Sequence, residues 1–168
     1  MSQVRLECGQ KLEHGPRDEA HAVCDQLYDP DNADRLTALG TLYAQHADVQ
    51  SALKPLQRAA ELAPESPQMQ YNLALAYYQL HQFAEARGPL ATAIARWPDI
   101  FQINALYGAV LMELGEDGLA HETLRHAHEL NPEDPATARL LYTTALGLGT
   151  KSQTAGLYQD ADRFQRPE

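Results

Sequence analysis

The sequence has little of several residue types, and each shortage argues against a class of protein. It has no apolar run close to the roughly 20 residues of a membrane-spanning helix, and its opening residues lack the apolar stretch of a secretory signal peptide. Basic residues are outnumbered, with 13 Lys and Arg against 23 Asp and Glu, for a net charge of −10. This acidity argues against nucleic acid or an anionic membrane as the main partner. The sequence alone therefore predicts a cytoplasmic protein.

Cysteine is also scarce, because the chain contains only Cys8 and Cys24. The two residues flank a Gly15-Pro16 turn at similar distances, so we expect their side chains to lie close together. Two states remain open: a disulfide, or two buried thiols that serve as small apolar residues. Because disulfides are rare in the cytoplasm, the sequence predicts the reduced form.

What the sequence does contain is one pattern written three times at a spacing of 34 residues. At about 100° per residue, the first three positions of each copy share one side of a helix, and the next three share one side of a second helix. Each copy therefore predicts a pair of helices followed by a proline. The copies read Leu39-Gly40, Tyr43, Ala52, Leu56, Ala59 and Pro64; then Leu73-Ala74, Tyr77, Ala86, Leu90, Ala93 and Pro98; then Tyr107-Gly108, Leu111, Ala120, Leu124, Ala127 and Pro132.

Residue size within the pattern predicts how each pair of helices packs. Small residues such as Gly40 and Ala52 allow two helices to approach closely, and Leu56 fills the seam beside them. The final proline stops the second helix, because it lacks an N–H group and clashes with the preceding turn. Gly115, at the turn between two helices, is expected to adopt a positive φ. One hairpin cannot bury its apolar side alone, so neighbouring hairpins must stack.

The pattern resembles the tetratricopeptide repeat, whose signature has large, small and aromatic residues at these spacings and a closing proline. The resemblance implies an all-α fold, a right-handed α-solenoid of helix-turn-helix hairpins that binds proteins or peptides. We expect a single domain over residues 1–168. It would contain a degenerate hairpin at 1–32, well-formed repeats at 33–66, 67–100 and 101–134, and a degenerate capping repeat at 135–168. In the last repeat, Leu141, Ala145, Gly149, Tyr158 and Ala161 continue the pattern.

No residue pattern predicts an active site or a cofactor. Three histidines, His121, His126 and His128, fall in one predicted helix, and Glu122, His126 and Glu129 have the i, i+4, i+7 spacing that could hold a metal ion weakly. Solvated charge on an outer helix is the preferred interpretation of these residues. The sequence therefore predicts neither an enzyme nor a metal site.

Some members of the resembling family bind the acidic C-terminus of heat-shock chaperones through a carboxylate clamp of basic residues and asparagines. In this chain Thr37 and Thr41 stand where the first clamp pair belongs, and Gln102 and Leu106 replace its basic residues. Asn72 alone matches. The sequence therefore argues against that ligand.

The predicted binding surface is the side of each first helix that faces away from the core. In residues 67–134 this side carries apolar residues where water is expected, bordered by amides and nearly free of charge. Packing between successive first helices explains part of this excess, and an exposed apolar strip that marks a partner site explains the rest. The strip, as predicted, contains Gln68, Tyr71, Asn72, Leu75, Tyr78, Gln79, Gln102, Leu106, Ala109 and Met112.

The sequence thus predicts a non-catalytic adaptor or scaffold whose concave groove binds an extended or helical protein segment with apolar anchors. The alternative is a structural or regulatory segment of a larger enzyme, or of a secretion or assembly machine, with chaperone-like oligomer contacts. Self-association into a homo-oligomer stays open under both interpretations.

Overall fold

The structure of the protein, a computed structural model, describes residues 2–149. Within this range the regular structure is helical, with nine α-helices, one short 3₁₀ helix and no strand. The α-helices are α1 (Ser2–His14), α2 (Arg17–Cys24), α3 (Ala33–Gln45), α4 (Val49–Leu62), α5 (Pro67–Gln79), α6 (Phe83–Arg96), α7 (Phe101–Glu113), α8 (Asp117–Leu130) and α9 (Pro135–Gly147). The 3₁₀ helix, Asp25–Leu27, follows α2 directly. None of the helices described is long and apolar enough to cross a membrane.

The first residues of successive repeats' helices are 34 residues apart, as predicted. Helices α3, α5, α7 and α9 start at residues 33, 67, 101 and 135, and α4, α6 and α8 start at residues 49, 83 and 117. The second helices end two residues before Pro64, Pro98 and Pro132, as the pattern predicts. The all-α prediction is confirmed for the residues described. Tyr158 and Ala161 of the predicted last repeat lie outside them.

Side chains in the linkers set the first residue of three of the first helices. Asn32 accepts a hydrogen bond from the backbone N–H of Arg35 at 3.0 Å, and Asp134 accepts one from Thr137 at 2.7 Å. Ser66 caps α5 in the same way. Such residues satisfy backbone N–H groups that have no partner within the helix.

The turn that follows each of α3, α5, α7 and α9 repeats one backbone conformation. Ala47, His81, Gly115 and Gly149 are 34 residues apart, and their φ angles are 62°, 57°, 74° and 71°. The positive φ predicted for Gly115 is confirmed. Ala47 and His81 adopt the same left-handed conformation with a Cβ atom, which is unfavourable for any residue except glycine.

The chain divides into two compact units, residues 1–82 and 83–168. The first unit contains α1 to α5, and the second contains α6 to α9. The division falls inside the repeat predicted at 67–100, between its two helices. The single domain over residues 1–168 stays a prediction.

The same contact, a glycine against a leucine, packs the two helices of a hairpin together in each unit. A Cβ atom added to Gly40 would lie 2.4 Å from Cγ of Leu56, and one added to Gly108 would lie 2.5 Å from Cγ of Leu124. Both leucines are buried, as are Ala52 and Ala120. The missing side chain of each glycine therefore makes room for a leucine of the opposite helix, so the predicted close approach of the two helices is confirmed.

Buried amides join the end of one hairpin to the start of the next. Gln70 donates from Nε2 to the carbonyl oxygen of Pro64 at 3.4 Å. At the equivalent position of the second unit, Asn104 donates from Nδ2 to the carbonyl oxygens of Pro98 and Ile100. Both side chains are buried, and their amide groups thereby find acceptors among the linker carbonyls.

The two cysteines form a disulfide. Cys8 of α1 and Cys24 of α2 are fully buried, and their Cα atoms are 4.9 Å apart. The predicted proximity is confirmed, but the predicted reduced state is wrong. The turn at Gly15 and Pro16 brings α1 and α2 side by side, and this places the two Cα atoms within the range that a disulfide spans.

Candidate functional site

A groove opens between α1 and α3 in the first unit, with a cavity of about 730 Å³. Its volume lies within the range of ligand-binding pockets in general. Residues of α1, of the 3₁₀ helix and of α3 line it. They are Arg5, Leu6, Gly9, Gln10, Glu13, Leu27, Asp34, Arg35, Ala38, Leu39, Leu42 and His46.

Gly9 is the reason that α1 leaves this space open. A Cβ atom added there would lie 3.5 Å from Nε2 of His46 and 3.7 Å from Cδ1 of Leu42, which are ordinary contact distances. Gly9 therefore places no side chain between the α1 backbone and the side chains of Leu42 and His46. A larger residue at this position would occupy the cavity.

The groove combines an apolar floor with a polar rim. Leu27, Leu39 and Leu42 are buried beneath it and belong to the core of the first unit. Leu6 lies on the α1 wall with 64% of its surface exposed, the largest fraction among the exposed leucines that the structure describes. The exposed rim residues are of both charge signs and include Arg5, Gln10, Glu13 and Asp34. Such a surface suits an apolar side chain carried by a polar segment.

Arg35 is held at the edge of the groove. Its Nη1 donates to Oδ2 of Asp29 at 2.7 Å, and its Nε is buried without a hydrogen-bond partner. The ion pair holds the Arg35 side chain at the N-terminal end of α3. The charge of Arg35 is therefore already matched within the protein.

The strip predicted on α5 lies in the first unit. Gln68 and Gln79 are exposed, whereas Tyr71, Asn72, Leu75 and Tyr78 are half-buried. Gln68 donates from Nε2 to Oδ1 of Asn72 at 2.8 Å. Burial raises the pKa of the Tyr71 hydroxyl above its ordinary value. This part of the strip keeps accessible apolar surface, but less than the sequence suggested.

The strip predicted on α7 lies in the second unit. Gln102 is exposed and Met112 is half-buried, but Leu106 and Ala109 each expose 9% of their surface. Those two residues can contribute little contact area to a ligand. Their burial agrees with the alternative given in the sequence analysis, that part of the apolar excess serves packing within the protein. The role of the whole strip in binding stays a prediction.

Two family models match the chain. The model "Tetratricopeptide repeat" matches residues 71–135, and the model "Anaphase-promoting complex, cyclosome, subunit 3" matches residues 14–93. Residues 71–135 of the chain therefore contain tetratricopeptide repeats. No curated protein sequence matches it.

Solved structures share the fold of this repeat-containing chain. A crystal structure of MamA has a TM-score of 0.78 and 21% identity, covering 92% of this chain and 91% of that one. The MamA RS-1 ArsTM double mutant has a TM-score of 0.79 and 18% identity, covering 98% and 94%. The first TPR of Spaghetti (RPAP3) bound to HSP90 peptide SRMEEVD has a TM-score of 0.67 and 22% identity, covering 72% and 96%. At these identities the likeness establishes the fold, an α-solenoid of helical hairpins.

Two of the three histidines of α8 contact polar protein groups, whereas Nδ1 of His128 is buried without a hydrogen-bond partner. Nδ1 of His121 lies 3.1 Å from Oγ1 of Thr144 on α9. Nε2 of His126 lies 3.2 Å from both the Pro98 carbonyl oxygen and Oδ1 of Asp99. Over residues 2–149 no group of three or more His, Cys, Asp or Glu side chains is arranged to hold a metal ion.

Asp48 is the centre of the best-connected polar cluster in the first unit. It accepts hydrogen bonds from Arg17 at 2.9 Å and from Nε2 of His21 at 2.6 Å, and Oγ of Ser51 lies 3.5 Å from the same His21 nitrogen. Burial alone would raise the pKa of Asp48, but hydrogen bonds from His21 and Ser51 and the charge of Arg17 outweigh it and lower that pKa. Because Asp48 and Ser51 approach the same imidazole nitrogen, the three residues cannot relay a proton as a catalytic triad does. The cluster fastens α2 to the start of α4.

The sequence does not reveal the groove, because its α1 wall lies outside the well-formed repeats. The structure places Gly9 on this wall. One signal was present: Leu6, Gly9, Gln10 and Glu13 follow the i, i+3, i+4, i+7 spacing of one helix face. That face has one large apolar residue beside a glycine and polar neighbours, which is typical of a partly exposed surface.

Proposed function

We propose that the protein is a non-catalytic adaptor that binds a peptide segment of a partner protein in the groove between α1 and α3. The observation that carries the proposal is the cavity of about 730 Å³ with three buried leucines beneath it and the exposed Leu6 on its wall. Exposed apolar surface that is concave and rimmed by polar residues is typical of interaction sites.

The occupant that fits this surface is an extended or helical segment with apolar anchors. The leucines of the floor favour aliphatic or aromatic side chains, and the rim charges of both signs give no net attraction to a strongly acidic or basic ligand. Apolar burial would supply most of the affinity, so we expect binding to depend weakly on salt. The net charge of −10 supports a protein partner over nucleic acid.

A chaperone-tail ligand has less support. The similar RPAP3 repeat domain is bound to the HSP90 peptide SRMEEVD, but this chain has Thr37, Thr41, Gln102 and Leu106 at the positions where a carboxylate clamp needs basic residues or asparagine. The likeness therefore supports peptide binding as a class, and the residues favour a different peptide.

The α5 strip is the proposed extension of this surface. Helix α5 packs against α3, which forms one wall of the groove. Tyr71, Leu75 and Tyr78 offer large half-buried side chains, and Gln68 and Gln79 offer amides that can pair with a peptide backbone. Tyr71→Ala, Leu75→Ser and Tyr78→Ala should each weaken binding by more than about 1 kcal/mol with the helical circular dichroism unchanged.

The test is selection of binders from a random-peptide phage library, followed by fluorescence anisotropy titration with the synthetic peptides. The groove-filling variant is Gly9→Leu. Its matched control is Gly118→Leu, because Gly118 lies on the surface of α8 and a Cβ there would meet nothing within 4 Å.

We expect Gly9→Leu to weaken the selected peptides at least tenfold and Gly118→Leu to leave their affinity unchanged. Peptides that bind both variants equally well, or a library that yields none, would contradict the groove as the binding site. If the three α5 variants bind the peptides with full affinity, the strip is not part of the binding site and the groove alone forms it.

A further inference from the structure

The Cys8–Cys24 disulfide is part of the framework of the groove. Cys8 immediately precedes Gly9, which forms the α1 wall. Cys24 immediately precedes the 3₁₀ helix, whose last residue, Leu27, lies on the floor. The bond therefore joins one wall of the groove to its floor.

Little besides this bond holds α1 in place. Among residues 3–14, Cys8 is the one residue classed as buried, and Val4 and Leu12 are partly buried against the core. Lys11 and Glu19 form an exposed ion pair between α1 and α2, and exposed pairs stabilise a protein little. Helix α1 contacts α2 and the 3₁₀ helix, to which the disulfide connects it. Loss of the bond would leave α1 attached mainly by two half-buried side chains and a thiol.

We propose that the Cys8–Cys24 bond is a redox switch for the groove. In the oxidised protein the bond holds α1 at a fixed distance from α3, and the groove binds its peptide. Reduction frees α1, so the groove loses one wall and its affinity. The inference rests on the proposed function, because it assigns a control to that same site.

The switching step is a two-electron thiol–disulfide exchange with a dithiol donor, either a protein dithiol of the thioredoxin class or dithiothreitol. One donor thiolate attacks one cysteine sulfur, the Cys8–Cys24 bond breaks, and the other cysteine leaves as a thiolate. The second donor thiol then closes the donor's own disulfide and releases the first cysteine. Each released thiolate takes a proton from water, so the protein gains two thiols and the donor becomes a disulfide.

The donor can reach the bond only when α1 moves. Both half-cystines are fully buried, so the attacking thiolate needs a local opening of the hairpin. A peptide that bridges α1 and α3 would oppose this opening. Peptide binding should therefore protect the bond from reduction.

Reductant has one target in this protein, because both of its cysteines are in the bond. The experiment uses the full chain, oxidised or treated with dithiothreitol. One readout is the fluorescence of N-phenyl-1-naphthylamine, a neutral apolar dye of a size that the cavity can hold. The other is hydrogen exchange of the amides of α1 against those of α3 and α4. Gly9→Leu identifies the part of the dye signal that comes from the groove, and Cys8→Ala/Cys24→Ala gives a chain that cannot respond to reductant.

We expect the oxidised protein to bind the dye and the Gly9→Leu variant to lose this binding. Reduction should weaken that binding at least tenfold and speed exchange in α1 at least tenfold, with α3 and α4 unchanged, and reoxidation should restore both. The double alanine variant should behave like reduced protein with or without dithiothreitol. Unchanged dye affinity and slow exchange in α1 after full reduction would overturn the switch.

The failure of the proposed function would look different. If the oxidised protein binds no dye at a Gly9-dependent site, the groove is not a binding site. The exchange readout then decides the switch alone: faster exchange confined to α1 on reduction supports it, and no change overturns it.

Discussion

The hairpin of α1 and α2 and the hairpin of α7 and α8 hold their helices together by different means. In α7, eight of thirteen residues are buried, and the space left by Gly108 is filled by Leu124. In α1 one described residue is buried, and it is half of a disulfide. The first hairpin thus has a covalent bond where the other has packed side chains. Because α1 buries so little of itself, one of its faces is available to line a groove.

The same contrast appears in the ion pairs that join successive hairpins. Asp48 and Glu116 occupy the same position of two repeats, directly before α4 and α8. Asp48 pairs with His21 and Arg17, and Glu116 pairs with Arg87 at 3.0 Å. The N-terminal junction therefore joins one carboxylate to both an imidazole and a guanidinium group, and the later junction joins one carboxylate to a guanidinium group alone. The carboxylate of Asp48 is also less exposed than that of Glu116, with 13% against 33% of its side chain accessible.

Reduction should produce the largest effect, and only in the first hairpin. A bond between residues 16 apart stabilises a folded chain by about 3 kcal/mol through the loop it closes in the unfolded state. Denaturant unfolding of oxidised and reduced protein would measure the difference. Thiol titration in denaturant should find no free thiol before reduction and two after it. Two titratable thiols without reductant would restore the original prediction of buried, reduced cysteines.

Gly108→Ala should destabilise the second unit by about 1–3 kcal/mol, because its Cβ would overlap Leu124 in a packed interface. Gly118→Ala on the neighbouring helix is the matched control, since its Cβ would meet no atom within 4 Å. The control should be neutral or slightly stabilising. Equal melting temperatures for Gly108→Ala and the parent would show that the packing of α7 on α8 has been misassigned.

Asp48→Asn should cost about 1–2 kcal/mol at pH 7, because it removes charge-assisted hydrogen bonds from a mostly buried carboxylate. The folded pKa of Asp48 is lowered, so its contribution is complete above the unfolded pKa and is lost as pH falls through the folded pKa. The parent and the variant should therefore converge in stability in strong acid. Urea unfolding from pH 7 down to about pH 3 would test this.

Glu116→Gln is the comparison for that experiment, and its cost should stay below about 0.5 kcal/mol, because the pair with Arg87 is more exposed. A larger loss for Glu116→Gln than for Asp48→Asn would reverse the contrast between the two junctions.

The turns should produce smaller effects than Asp48→Asn. Ala47→Gly should stabilise the first unit by up to about 1 kcal/mol, because Ala47 holds a φ of 62° that glycine adopts freely. Gly115→Ala should cost a similar amount in the second unit, for the same reason with the opposite sign. Thermal unfolding of both variants would measure the two changes in stability. Changes of the same sign would mean that the side chain at this position makes contacts that outweigh its backbone conformation.

The well-formed repeats were predictable because their periodicity records burial directly. Leu39, Ala86 and Leu124 each belong to a set of residues that recurs every 34 positions because its members face the core, and all three are buried. The groove was not predictable in this way, because it depends on what Gly9 lacks and on the path of a helix with few apolar residues. The oxidation state of Cys8 and Cys24 was missed for another reason: the choice rested on an assumed compartment, whereas geometry brings the two residues into bonding range. A disulfide favours an oxidising environment and so argues against the predicted cytoplasmic location. That location remains a prediction.

The exposure of the predicted strip could be read from the sequence only in part. Helical rotation correctly identified Tyr71, Leu75 and Tyr78 as incompletely buried. The same rotation could not separate Leu106 and Ala109 from them, because the extent to which a neighbouring element covers a face depends on contacts distant in sequence.

The buried amides of Gln70 and Asn104 limit how the protein can change over evolution. Each reaches back six residues to a proline carbonyl in the linker after the preceding helix, so each bond requires one linker length. An inserted residue between Pro64 and Gln70 would leave a buried amide without its acceptor, even if the insertion itself lay on the surface. We therefore expect the spacing between hairpins to be under stronger selection than the identity of most linker residues, and length variation among relatives to accumulate elsewhere.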